Sequence, residues 1–283
     1  MLSRSRYAGA WLLKALLGRR HVVRLARFLS MEARLDLNGG VDEHGEPLIR
    51  AAVAEQANTE GTLHILDVGA HLGEWTEAML RACAAAGRTD AVFHLFEPGQ
   101  KTFQQLEAKW QSHPSSEQIQ LNRRALSSRR GHAELRIAED LAGSNSLHEL
   151  PHGAAPIRTE AIEIDTIDSY ASAAGLDRIA MVKIDAEGHD FEVLQGASGC
   201  LAEHRIDVVQ FEYNSRWIFA RRFLRDAFEL LQPLGYRLGK VTREGVELYG
   251  DWHPELETFR EVNFIACLPA WAERFPTIPW WND

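Results

Sequence analysis

Four short segments each place acidic side chains directly after an apolar run. They are Asp67-Val68-Gly69-Ala70-His71-Leu72-Gly73, Phe96-Glu97-Pro98, Lys183-Ile184-Asp185-Ala186-Glu187-Gly188-His189-Asp190 and Phe211-Glu212-Tyr213-Asn214. In the first, Gly69 and Gly73 allow a tight turn and a close approach of backbone to ligand. A helix starting there would aim its free N–H groups at that ligand. The G-x-x-x-G spacing differs from the G-x-G-x-x-G of a dinucleotide cradle and favours a smaller nucleoside ligand. Glu97 is placed to accept hydrogen bonds from both hydroxyls of a ribose, and Pro98 suits the first turn of the next helix. Asp185, Glu187 and His189 form a dense titratable cluster of the kind that holds a general base. The structural alternatives are a capping role for Glu97 and Asp190, and simple charge neutralisation by Lys183.

The elements that must position these residues follow from the apolar pattern. Strands are expected at 63–67, 91–96, 119–126, 179–184 and 206–211, with helices over 73–86 and 190–197. Phe103, Leu106 and Trp110 mark one helical face, and Trp217, Ala220, Leu224, Ala227, Phe228 and Leu231 trace a single helical stripe. Residues 127–164 read as an inserted hairpin region, and 236–241 and 262–268 as two final strands. Strands alternating with helices predict a doubly wound α/β sheet, with ligands beyond the carboxyl ends of its strands. All four acidic segments then meet at one end of the sheet, which points to an enzyme.

The chain has 283 residues, 45% hydrophobic and 25% charged, with net charge −9, the composition of an ordinary globular protein. A generally basic nucleic-acid binder is excluded. Residues 1–30 nevertheless carry seven Lys/Arg and no acid, so +7 there opposes −16 in the remainder. Trp11 with Ala15, and Leu12 with Leu16, suggest a basic amphipathic helix that contacts a partner, its own acidic domain or an anionic membrane surface. The apolar run is too short to span a bilayer. Cys83, Cys200 and Cys267 lack metal-ligand spacing and read as buried free thiols of a cytoplasmic protein. The organisation expected is a basic helical extension over 1–58, a catalytic domain over 59–270 and an aromatic tail over 271–283. A second copy of the chain is a further candidate partner.

These motifs, with Asn122…Ala125-Leu126-Ser127, Ser144-Asn145-Ser146-Leu147, Ile164-Asp165-Thr166-Ile167-Asp168, Leu194-Gln195-Gly196-Ala197 and Leu234-Gly235-Tyr236, resemble the FkbM family of S-adenosylmethionine-dependent methyltransferases. The resemblance covers about residues 60–268, and Lys183-Ile-Asp-Ala-Glu-Gly188 is its most specific part. It implies a class I methyltransferase fold, Rossmann-like, with a seven-stranded sheet whose last strand is antiparallel. It implies O-methylation of a hydroxyl on a sugar, glycolipid or secondary metabolite. Asp67, Gly69, Ala70, His71 and Gly73 would line the methionine and ribose part of the cofactor, and Glu97-Pro98 the ribose. Ala125 and Leu126 would lie along the adenine, and Asp185 would also reach the cofactor. His71 replaces the family's commoner Asn.

Methyl transfer is an in-line displacement, so the protein must position, desolvate and deprotonate a weakly acidic hydroxyl. Asp185 or Glu187 is the expected base, with His189 competing. Asp185, Glu212 and Asn214 could alternatively hold Mg²⁺, although a metal-free mechanism is preferred. Residues 144–156, with His148 and His152, are either part of the acceptor pocket or a surface loop. The aromatic side chains Trp271, Phe275, Trp280 and Trp281 are expected to pack on the domain or a partner subunit, with sugar stacking the lesser alternative. A nicotinamide-dependent oxidoreductase and a non-catalytic cofactor-binding scaffold are the competing functions. The missing G-x-G-x-x-G and the retained acids count against them.

Overall fold

Leu63–Val68 alternates its side chains between two apolar layers, and that alternation organises the whole sheet. Leu63 and Ile65 pack with Phe93, Leu95 and Trp110 on one face, while Leu66 and Val68 join Phe96, Val182 and Ile184 on the other. A strand apolar on both sides belongs in a parallel sheet covered by helices on both faces. The computed structural model describes residues 11–36, 45–56, 61–141, 143, 145–149 and 155–282. Two compact units divide after Leu37.

The strands are β1 (Leu63–Val68), β2 (Ala91–Phe96), β3 (Ile119–Asn122), β4 (Ala125–Leu126), β5 (Gly131–Ile137), β6 (Arg158–Asp165), β7 (Ile179–Ile184), β8 (Ile206–Tyr213), β9 (Arg237–Thr242), β10 (Gly245–Tyr249), β11 (Val262–Cys267) and β12 (Thr277–Ile278). Among the described residues the main sheet has the order β12-β10-β9-β11-β8-β7-β1-β2-β3. β3, β2, β1, β7 and β8 are mutually parallel, and β11 runs antiparallel between β8 and β9. The chain leaves β1 toward β2 and β3, then returns to the other side of β1 with β7. The switch point, where ligands bind in such sheets, therefore lies between β1 and β7.

The doubly wound architecture and the antiparallel β11 agree with the sequence reading, but the strand count is nine rather than seven. β10 folds back on β9 as a hairpin, and β12 pairs with β10 to extend that edge. The expected strand 119–126 breaks at Arg123-Arg124, because β4 turns away to join β6 and β5 in a separate three-stranded sheet. That small sheet is the hairpin region anticipated between 127 and 164. The stripe from Trp217 to Leu231 is two helices, Trp217–Ala220 and Leu224–Leu231, separated where Arg221 adopts φ 58°.

Helix Glu46–Ala54 belongs to the second unit, and its first residue is tied into the sheet. Glu46 Oε1 accepts from Gln210 (2.7 Å) and Asn263 (3.0 Å), while Oε2 accepts from Arg50 (3.0 Å). All four groups are shielded from water or nearly so, and each hydrogen bond to a charged partner contributes about 1.5–3 kcal/mol. In the first unit, residues 11–17 and Arg19–Ala33 are helical on either side of Gly18, which adopts φ 76°. No helix among the described residues is long and apolar enough to cross a membrane. Cys83, Cys200 and Cys267 are buried and unpaired, as expected, and burial pushes the Cys83 thiol up to about 11. In the tail, Trp271 and Phe275 are buried, and Trp280 meets Tyr249 edge-on at 5.6 Å.

Candidate functional site

Parallel pairing sets Asp67 opposite Leu95 and Lys183, and Lys183 opposite Gln210, so the ends of β1, β2, β7 and β8 lie side by side. A cavity opens there. From the first motif Gly69 and His71 line it, from the second Glu97 and Pro98, and from β4 Ala125 and Leu126. Asp185, Glu187 and His189 line the same cavity. Asp67, Ala70 and Gly73 stand behind this lining. Asp67 is fully buried, with Oδ2 accepting from Thr76 Oγ1 at 2.6 Å and Oδ1 without a hydrogen bond. Burial raises its carboxyl to about 6.

Gly69 is required by geometry. It adopts φ 79°, and a Cβ there would lie 1.9 Å from the carbonyl oxygen of Asp185. The turn after β1 thus presses backbone against backbone at the switch point. Gly69→Ala is expected to lower stability by about 2–4 kcal/mol, combining the left-handed φ penalty with overpacking. Thermal unfolding of the variant checks this.

Glu97 is held from both sides. Oε1 accepts from the Gly99 N–H (2.8 Å) and Oε2 from the His71 N–H (3.2 Å). Burial pushes its carboxyl up to about 7, although these two N–H groups and the nearby His71 ring favour the ionised form. A carboxylate has about four lone-pair positions, so after two backbone bonds it retains acceptor capacity at the cavity wall. The His71 ring reaches across to the Leu141 carbonyl, with Nε2 donating at 2.8 Å. The histidine at this position thereby ties the turn after β1 to residue 141.

The turn after β7 concentrates acid. Asp190 accepts the N–H groups of Ala186 (3.1 Å) and Gly188 (3.0 Å), fixing the turn from inside, and burial raises its carboxyl to about 7. Asp185 Oδ2 accepts from Lys183 Nζ at 2.8 Å. Burial would discharge this lysine, but Asp185, Asp67 and Glu46 outweigh it and hold the ammonium above its ordinary range. Glu187 sits at φ 55° and pairs with Arg216. Burial, reinforced by the Asp185 charge, lifts its carboxyl to about 8. Two residues that line one cavity, His71 (φ 49°) and Glu187, thus occupy a strained left-handed conformation. Strain of this kind persists where the surroundings over-determine it and clusters at working sites.

His189 lines the cavity among neutral polar partners. Its Nδ1 contacts His148 Nε2 at 3.0 Å and its Nε2 contacts Ser127 Oγ at 2.9 Å. Burial drives its pKa down to about 3, with the neighbouring His148 and Arg222 acting in the same direction. The proposed Mg²⁺ ligands are each committed to protein partners. Asp185 takes the lysine, Glu212 Oε2 accepts from Asn214 at 2.5 Å, and Asn214 Oδ1 accepts the Arg216 N–H at 2.8 Å. Burial and the surrounding acids hold the Glu212 carboxyl well above its ordinary range. His152 and Ser144 lie outside the described residues, whereas Asn145 and Leu147 line the cavity. Sequence reasoning did not single out Thr76, Thr102 or Arg216. None carries a spacing signal, and Arg216 becomes visible only through its pairing with Glu187.

A family profile described as the methyltransferase FkbM domain matches residues 67–238, a span that contains Gly69, Glu97, Leu126, Asp185 and Glu187. Among solved structures, the chain is similar to methyltransferase FkbM from Methylobacillus flagellatus, at 14% identity over 72% of this chain and 43% of that one, with TM-score 0.47. It is similar to an S-adenosylmethionine-dependent methyltransferase from Agrobacterium tumefaciens at 10% identity, 79% and 61% coverage and TM-score 0.41. It is also similar to precorrin-6y C5,15-methyltransferase from Geobacter metallireducens at 12% identity, 77% and 86% coverage and TM-score 0.38. The chain spans less than half the length of the first of these structures. A comparison with curated proteins finds no match.

Proposed function

The chain belongs to the FkbM methyltransferases, and from that premise we propose that it methylates a hydroxyl group of a sugar, glycolipid or secondary metabolite with S-adenosylmethionine. The observation that carries the reading is that Glu97 and Glu187 line one cavity at the switch point of the sheet. The site fits the cofactor. Glu97 offers a buried carboxylate edge for two ribose hydroxyls, Ala125 and Leu126 offer an apolar surface for a base, and the acids around Asp185 suit a sulfonium cation. Mg²⁺ on Asp185, Glu212 and Asn214 is not favoured, because each already has a protein partner.

Bound S-adenosylmethionine supplies an electrophilic methyl group on a sulfur that leaves as a neutral thioether. Glu187, held by Arg216, accepts the acceptor's hydroxyl proton as the new carbon–oxygen bond forms. Asp185 is held beside Lys183 at the cavity wall. The test is incubation with labelled cofactor and a panel of glycans, glycolipids and polyketides, read as the mass gain of one methyl. Transfer to nitrogen or carbon acceptors alone would overturn the O-methylation reading.

Cofactor affinity is expected to depend on pH through Glu97. Its ionised form accepts the ribose hydroxyls, and its carboxyl titrates at about 7, with His71 and Asp67 the charged groups facing it. Binding should be nearly pH-independent above 8 and weaken about tenfold by pH 6, as protonation removes the acceptor. Calorimetric titration across that range measures it.

Residues 1–30 suit peripheral attachment of a cytoplasmic enzyme to an anionic membrane. Their seven cations accompany exposed Trp11, Leu16 and Phe28. Salt-sensitive cosedimentation with phosphatidylserine vesicles is the test, and no cosedimentation at low salt would remove this part of the reading.

A further inference from the structure

Beside the cavity, three electron-pair donors converge. His189 Nδ1 lies 3.0 Å from His148 Nε2, and Glu192 Oε2 lies 3.7 Å from the first and 3.9 Å from the second. The carboxylate oxygen is buried and accepts no hydrogen bond. One shared proton satisfies the two imidazoles and leaves this oxygen unserved, a cost of about 1–3 kcal/mol. A cation between the three would satisfy them all. We propose that His148, His189 and Glu192 bind a single zinc-class divalent metal ion, with an exchangeable water as the fourth ligand.

Two imidazole nitrogens and a carboxylate oxygen are a recognised zinc donor set, and bonds of about 2.0–2.2 Å place tetrahedral donors about 3.3 Å apart. The three separations, 3.0 to 3.9 Å, bracket that value. The outer contacts that orient metal ligands are also present. His189 Nε2 meets Ser127 Oγ at 2.9 Å, and Glu192 Oε1 accepts from Arg222 Nε at 2.9 Å. A second cleft, bordered by Ser127, Arg136, His189 and Glu192, provides an entry path. The ion would tie residues 145–149 to helix Asp190–Gln195. Since Asn145 and Leu147 line the cavity, it would fix one wall of the methylation site. The two imidazoles also distinguish this site from the Asp185, Glu212 and Asn214 set.

The full chain, stripped with a chelator, is titrated with zinc chloride and separately with cobalt chloride. One equivalent of zinc should bind and raise the thermal midpoint, and cobalt should show the intense visible absorption of a four-coordinate site. His148→Ala should weaken zinc binding at least about 100-fold, and Glu192→Gln about tenfold. Circular dichroism of both variants separates ligand loss from misfolding. Absence of saturable zinc binding by the unaltered chain overturns the proposal. Unchanged affinity in a folded His148→Ala, or a weak six-coordinate cobalt spectrum, also overturns it.

Discussion

Glu97→Ala is expected to bind S-adenosylmethionine about 100- to 1,000-fold more weakly than the unaltered chain. The carboxylate presents two acceptor oxygens, each already oriented by a backbone N–H from Gly99 or His71. Hydrogen bonds to a charged acceptor contribute about 1.5–3 kcal/mol each, and two at the lower part of that range, roughly 3–4 kcal/mol together, give that factor. Removing the carboxylate also leaves both N–H groups without their partner. The fold should tolerate the change, because burying this carboxylate is itself costly, as its elevated pKa of about 7 records. Glu97→Gln retains one oxygen and should fall between the two. Calorimetry gives the affinities, and unfolding without ligand shows that the loss is not one of structure. Equal affinity in Glu97→Ala would remove Glu97 from the binding site.

Glu187→Gln is expected to keep the cofactor and lose turnover. A positioned general base contributes about 10²- to 10⁴-fold, so kcat should fall by that factor while cofactor affinity changes less than about twofold. Glutamine preserves the shape beside Arg216 and the left-handed turn, and removes only the capacity to hold a proton. Asp185→Asn should behave differently. It disrupts the contact with buried Lys183 and therefore should lower cofactor affinity as well as rate. Single-turnover methyl transfer with the two variants separates these roles. Full activity in Glu187→Gln would exclude that residue as the base.

Much of this site is legible from the order of residues, because a parallel sheet delivers every strand end to one place. The apolar runs before Asp67, Glu97, Asp185 and Glu212 identify β1, β2, β7 and β8, and their shared direction brings the motifs together. The doubly wound sheet follows from the same alternation, whereas its class I methyltransferase form is implied by the family resemblance. What remained hidden depends on distant pairing. Glu46 opens a short helix, yet its partners Gln210 and Asn263 are 164 and 217 positions away. The edge strands β10 and β12 are short, and pairing rather than pattern defines them. The break between β3 and β4 falls in a run that is apolar at both ends, so periodicity carries the strand through it. His189 shows the same limit at the chemical level. Its place in a cluster of acids suggests a base, while its contacts with His148 and Ser127 and the lowering of its pKa by burial appear only in the fold.

The most direct test of the central claim is calorimetric titration of the unaltered chain with S-adenosylmethionine and, in parallel, with NAD. The account predicts saturable one-to-one binding of S-adenosylmethionine that is lost in Glu97→Ala, and no saturable binding of NAD. Saturable binding of NAD without binding of S-adenosylmethionine would contradict it.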